Sequence, residues 1–122
     1  MSHRALAEAV INQAIYDCDL DSTNPKPRGV SHAKRPADQA RYVKRLIASV
    51  REKRSALRFL LESNGIWFEL AGLSPGVYAR SSRLKAHDAH LDTCERDLRA
   101  RLDSILDVMH AARVRRMSRK KR

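Results

Sequence analysis

The sequence predicts an all-α protein: a helical bundle that contains a helix-turn-helix, followed by a long C-terminal helix. Three observations predict it. Apolar residues recur at three- and four-residue spacing, and no β-branched run alternates apolar with polar. Only four glycines and four prolines occur in 122 residues, so long stretches carry no helix breaker. Leu84, Leu91, Leu98, Ile105 and Ala112 fall at every seventh position, half of a coiled-coil signature. With 5% aromatic residues, the core must rest on Leu, Ile, Val and Ala.

Each element has its own warrant. A first helix is expected from Ser2, a good N-cap, to Asp17, with Leu6, Val10, Gln13 and Ala14 on one face and Ile11 and Ile15 widening it. Asp17, Asp19 and Asp21 oppose its continuation, because negative charge is unfavourable at a helix C-terminus. Residues 22–36 hold three prolines and a glycine and show no period, which reads as a basic linker. A second helix is expected over Ala37–Glu52, opened by Pro36, with Val43, Leu46, Ile47 and Val50 as its stripe and Arg41, Lys44, Arg45 and Arg51 opposite. A third spans Ser55–Ser63 and stops at Asn64-Gly65. A short helix Ile66–Ala71 follows. Ser74 then reads as an N-cap and Pro75 as the first residue of a helix reaching Lys85. The long helix is expected over Asp88–Arg116, with Leu102 and Met109 in the companion heptad position, which Asp88 and Glu95 break earlier. The expected division is therefore an N-terminal helix (1–21), a linker (22–36), a helical core (37–85), a long helix able to oligomerise (86–112) and a basic tail (113–122).

Charge narrows the functional classes. The formal net charge is +11. Residues 26–58 hold eleven bases against two acids, and 80–122 hold thirteen against six, whereas 59–79 hold no base at all. Basic blocks seek polyanions, since binding a phosphate backbone releases its condensed counterions. The final ten residues hold seven bases and no acid, a composition expected to be disordered and to bind nucleic acid. Cys18 and Cys94 stand far apart, which suggests reduced thiols in a cytoplasmic protein. His87 and His90, three apart, make only a weak metal pair, so no metal and no cofactor are expected. No apolar run reaches the roughly 18 residues of a membrane span, and the start lacks the pattern of a signal peptide. Asp17/Asp19 and Asp88/Asp92/Glu95 read as surface salt-bridge partners, and no phosphate-binding glycine loop occurs, so no enzymatic activity is expected.

The informative segment is Ile66–Arg80. A helix-turn-helix needs a short apolar helix, a glycine at the turn, an apolar residue after it and a capped second helix. Gly72, Leu73 and Ser74-Pro75 supply these in order. The second helix then offers Ser74, Gly76, Ala79, Arg80, Ser82, Arg83 and Lys85 to DNA, its small residues allowing close approach and its arginines reaching guanine edges or phosphates. Two registers are open. With Tyr78 inward, Arg80 and Arg83 point outward. With Val77 and Leu84 inward, Ala79, Ser82 and Arg83 do. Arg41, Lys44 and Arg45, together with Arg115, Arg116, Arg119, Lys120 and Lys121, are expected to add phosphate contacts.

Arg4–Asp17, Ala56–Leu61 and Trp67–Arg80 together resemble small proteins of tailed phages, prophages and related gene-transfer elements. Those proteins pair a similar first helix with an aromatic-x-x-Leu-x-Gly-Leu-Ser/Asp-Pro segment. The resemblance covers about the first 85 residues. It departs at Gly76-Val77-Tyr78, and the long tail has no counterpart. It implies a DNA-binding regulator or a packaging component such as a terminase small subunit. The expected partner is double-stranded DNA, and the 86–112 helix either self-associates or packs back on its own domain. An adaptor docked on RNA polymerase or another acidic protein surface is the alternative, and no membrane partner is expected.

Overall fold

The computed structural model describes residues 2–18, 35–63 and 65–120. Four helices follow in order: α1 (His3–Asp17), α2 (Pro36–Glu62), α3 (Ile66–Leu70) and α4 (Ser82–Lys120). No strand occurs among the described residues, so the fold is all-α as expected. Met1, positions 19–34, Asn64, Lys121 and Arg122 lie outside the described residues, and with them Asp19, Asp21 and most of the expected linker.

The frame is an antiparallel hairpin of α2 and α4. At 1.5 Å per residue they measure about 40 Å and about 58 Å, so α4 overruns its partner. One core cluster joins Val50, Leu57 and Leu60 of α2 to Leu84 and Leu91 of α4, and takes in Ala7, Ile11, Ala14 and Cys18 of α1 and Phe68 of α3. A second, smaller cluster joins Ala40, Val43 and Ile47 to Ile105, with Leu98, Leu102 and Met109 packed beside it. The sevenfold recurrence on α4 is thus a seam laid against α2 within one chain. Outside this seam, 86–112 exposes Leu106 and Val108 as its large apolar residues.

The helix boundaries correct several expectations. The separate helices expected over 37–52 and 55–63 are one helix. The apolar stripe lapses at Arg54, which read as a break. Arg54 instead occupies a core-facing position, with a side chain only 14% exposed, because acids on α4 meet it there. Its Nη1 lies 3.1 Å from Asp92 and 4.0 Å from Glu95, and its Nε 3.5 Å from Asp88. Asp88 and Glu95, which break the heptad, are therefore the counterparts of the break in α2.

α2 ends at Glu62, and its C-cap, Ser63, takes the left-handed conformation (φ 46°). Ser63 is fully buried. Its hydroxyl donates to the Leu60 carbonyl and accepts from Tyr78 N–H at 3.2 Å, and its carbonyl accepts from Gly76 N–H at 3.0 Å. These bonds fasten the 74–81 segment under the end of α2.

The expected helix from Pro75 does not form. Gly76 has φ 71°, which no α-helix accommodates. Positions 74–81 are successive four-residue turns, each closed by an i+3 to i bond: Val77 N–H to Ser74 O, Ala79 to Gly76 and Ser81 to Tyr78. The long helix starts instead at Ser82, capped by Ser81 Oγ, which accepts from Leu84 N–H at 3.2 Å. It runs unbroken through the expected junction at 85–88 and past Arg116. The tail to Lys120 is helical rather than disordered: Met, Arg and Lys are good helix formers, and bases suit a helix C-terminus.

α1 closes the head of the hairpin. Ser2 Oγ accepts from Ala5 N–H at 3.1 Å, as an N-cap should. Ile11 and Ala14 face inward as expected, but their companions are Ala7 and Cys18 rather than Leu6, Val10, Gln13 and Ile15. Small residues let α1 sit close, while Leu6 stays exposed at 44%. The His87 ring N–H donates to the Cys18 carbonyl at 2.8 Å, tying the end of α1 to α4.

Candidate nucleic-acid interface

The sequence-derived residues fall into three groups. Arg41, Lys44 and Arg45 are exposed on the first half of α2. Arg115, Arg116 and Arg119 are exposed on the last turns of α4, while the Lys120 side chain and Lys121 lie outside what is described. Because the hairpin is antiparallel, these two groups share one end of the molecule. Arg35 and Pro36 border the same surface depression as Arg113 and Arg116.

The third group lies at the opposite end. Ser74 is exposed and Gly76 and Ala79 half-buried on the turns, with Arg80, Ser82, Arg83 and Lys85 exposed around the start of α4. From Arg41 to the end of α2 is about 30 Å, so this group sits far from the other two. Eleven residues, 71–81, join α3 to α4. The helix-turn-helix expectation required a connection of three or four residues. Both alternative registers are half right: Tyr78 packs on Phe68 with ring centroids 6.1 Å apart and Leu84 is buried, while Val77 is exposed. That combination arises because residues 75–80 are turns rather than part of the helix that holds Leu84.

Charge compensation separates the basic residues further. Arg4 pairs with Glu8, Arg96 with Asp92, Arg99 with Glu95, and Arg41 lies 3.8 Å from Asp38. Among the described residues, Lys44, Arg45, Arg51, Arg58, Arg113, Arg115, Arg116 and Arg119 have no acidic partner within ion-pair distance. Lys44, Arg51 and Arg58 recur every seven positions and form one row beside the buried stripe of α2. That row spans about 21 Å of helix. Arg58 was missed by the sequence reading, although the sevenfold spacing from Lys44 and Arg51 was there to find it.

No group of three metal-ligating side chains occurs among the described residues, and no described helix is long and apolar enough to cross a membrane. Cys18 is buried and Cys94 half-buried. No family model, no curated protein and no solved structure matches the chain.

Proposed function

We propose that this protein binds double-stranded DNA, holding the duplex chiefly by its phosphates, and serves as a regulator of the phage or mobile-element type that its sequence resembles. One observation carries the reading: Lys44, Arg45, Arg51 and Arg58 of α2 and Arg113, Arg115, Arg116 and Arg119 of α4 are exposed with no acidic partner within ion-pair distance, at one end and along one row of the hairpin. Each DNA strand carries one phosphate per 3.4 Å of helix axis, so the three charges of the 21 Å row lie within the axial span of about six phosphates of a strand. A second reading, in which the head also reads bases, is favoured by the exposure of Arg80, Ser82, Arg83 and Lys85 together around the first turn of α4.

Fluorescence anisotropy with cognate and random duplexes across a salt series tests both. Each phosphate contact contributes about 0.9 to the slope of log affinity against log salt. Removing residues 113–122 is expected to weaken both duplexes alike and flatten that slope by several units. Arg83→Ala is expected to relax discrimination by about 1–3 kcal/mol if the head reads bases, and to act equally on both duplexes if it touches only backbone. Absence of salt-sensitive DNA binding in the folded protein rejects the proposal and leaves an acidic protein surface as the partner of the basic faces.

A further inference from the structure

On one side of the hairpin, α2 and α4 leave an open cleft of about 550 Å³. Its α2 wall presents Arg51, Arg54 and Arg58, spaced i, i+3 and i+7 on one face, and its α4 wall presents Glu95 and Arg99. Arg54 forms the half-buried floor, its charge met by Asp88, Asp92 and Glu95. Glu95 also takes Arg99 Nε at 3.3 Å. A guanidinium has five donors in a planar fork, so a single bond at Nε orients Arg99 and leaves its terminal nitrogens for another acceptor. Asp92 is shared between Arg54 and Arg96 at 3.1 and 3.0 Å, so its charge is compensated on two sides. Glu62 also borders the cleft, yet it forms no ion pair with Arg58.

We propose that this cleft is a discrete phosphate-binding site in which Arg51, Arg58 and Arg99 supply the donors and Arg54 fixes the floor. Planar forks match phosphate oxygens two at a time, which a lysine does not. Three guanidinium groups around one cavity thus make a different object from the scattered charges of the tail. The inference rests on the DNA-binding reading only for the source of the phosphate: on that reading the group is a backbone phosphodiester, and the cleft is the anchoring contact of the Lys44–Arg51–Arg58 row.

The test uses the full chain and two arms. In the first, inorganic phosphate is titrated in while the arginine Nε–Hε resonances are followed by NMR. Arg51, Arg58 and Arg99 are expected to shift together and saturate with one dissociation constant, while Arg45 and Arg115 drift without saturating. Equal, unsaturated drift of all five overturns the site. In the second arm, Arg51→Gln with Arg58→Gln is compared with Arg41→Gln with Arg45→Gln on the same duplex. Both double variants remove two exposed charges from α2, and thermal melts verify that both fold. The cleft pair is expected to lose at least tenfold more affinity. Equal losses overturn the cleft as an anchor for DNA. Saturating shifts in the first arm without any duplex binding by the wild type support the site with free phosphate as its ligand, and overturn the DNA reading instead.

Discussion

Replacing Arg54 with Met tests the logic of the hairpin most directly. Arg54 is the charged group set into the apolar seam, 14% exposed, and it faces three carboxylates that are themselves only 17–33% exposed. Arg54→Met keeps much of the side-chain volume and leaves Asp88, Asp92 and Glu95 together without their shared cation. Removing one partner of a fully buried ion pair costs about 3–5 kcal/mol. Partial exposure of the acids, and the pairing of two of them with Arg96 and Arg99, reduces this to about 2–3 kcal/mol. For a domain of this size that is a fall in Tm of about 8–12 °C, read by circular dichroism at 222 nm. Salt provides the second readout. Repulsion among the uncompensated acids is screened as the Debye length shortens, so the variant regains stability in high salt more than the wild type does. Adding Asp88→Asn and Glu95→Gln to the variant is expected to recover part of the loss for the same reason. A variant that melts within 2 °C of the wild type, with no extra salt response, refutes the view that this network holds α2 and α4 in register.

The other expectations are simpler. Leu91→Ala, at a side chain only 1% exposed, is expected to cost about 2–5 kcal/mol in urea unfolding; a smaller loss means that α4 closes over the gap. Ser63→Ala removes the acceptor of the Tyr78 amide, with an expected loss of about 1–2 kcal/mol and faster hydrogen exchange at Tyr78 and Gly76. Gly76→Ala is expected to cost about 1 kcal/mol through its positive φ alone, since an added Cβ would meet nothing closer than 3.9 Å. Gly65→Ala, with ordinary φ and open space, is expected to be neutral or slightly stabilising, and equal effects at the two glycines refute the conformational argument.

Local rules made the helices legible in the sequence, and long-range pairing decided what was not. Ser2 as a cap, Pro36 as a first residue and the sevenfold repeat from Leu84 all depend on neighbours within a turn or two. The single length of α2 was hidden because Arg54 looks like an interruption until Asp88, Asp92 and Glu95 arrive from more than thirty positions away. The failure of Ser74-Pro75 to start a helix has the same origin. Capping chemistry favoured a start there, but Gly76 N–H and Tyr78 N–H are claimed by Ser63, on another element. α1 was turned on its axis for a different reason: hydrophobicity ranked Leu6 above Ala7, whereas close packing rewards the smaller side chain. Of the candidate interface, the identity of the basic residues was legible. Their division between two ends of a rod was not, because it depends on the direction in which α4 returns.

The two apolar clusters are unequal, and this has a consequence for motion. The head holds α1, α3 and both long helices around aromatic rings, while the other end rests on Ala40, Val43, Ile47 and Ile105. Such a hairpin opens like a zipper from its weaker end, in a local unfolding step well below the global free energy. That weaker end also carries Lys44 and Arg45 of α2 and the uncompensated arginines at the end of α4, whose mutual repulsion favours opening. A polyanion that bridges the two helices there acts as a clasp: by mass action it suppresses the open form. Slower amide exchange confined to the 36–47 and 102–116 stretches is the signature of that clasp, whereas uniform slowing along the chain is the signature of a ligand that grips the head.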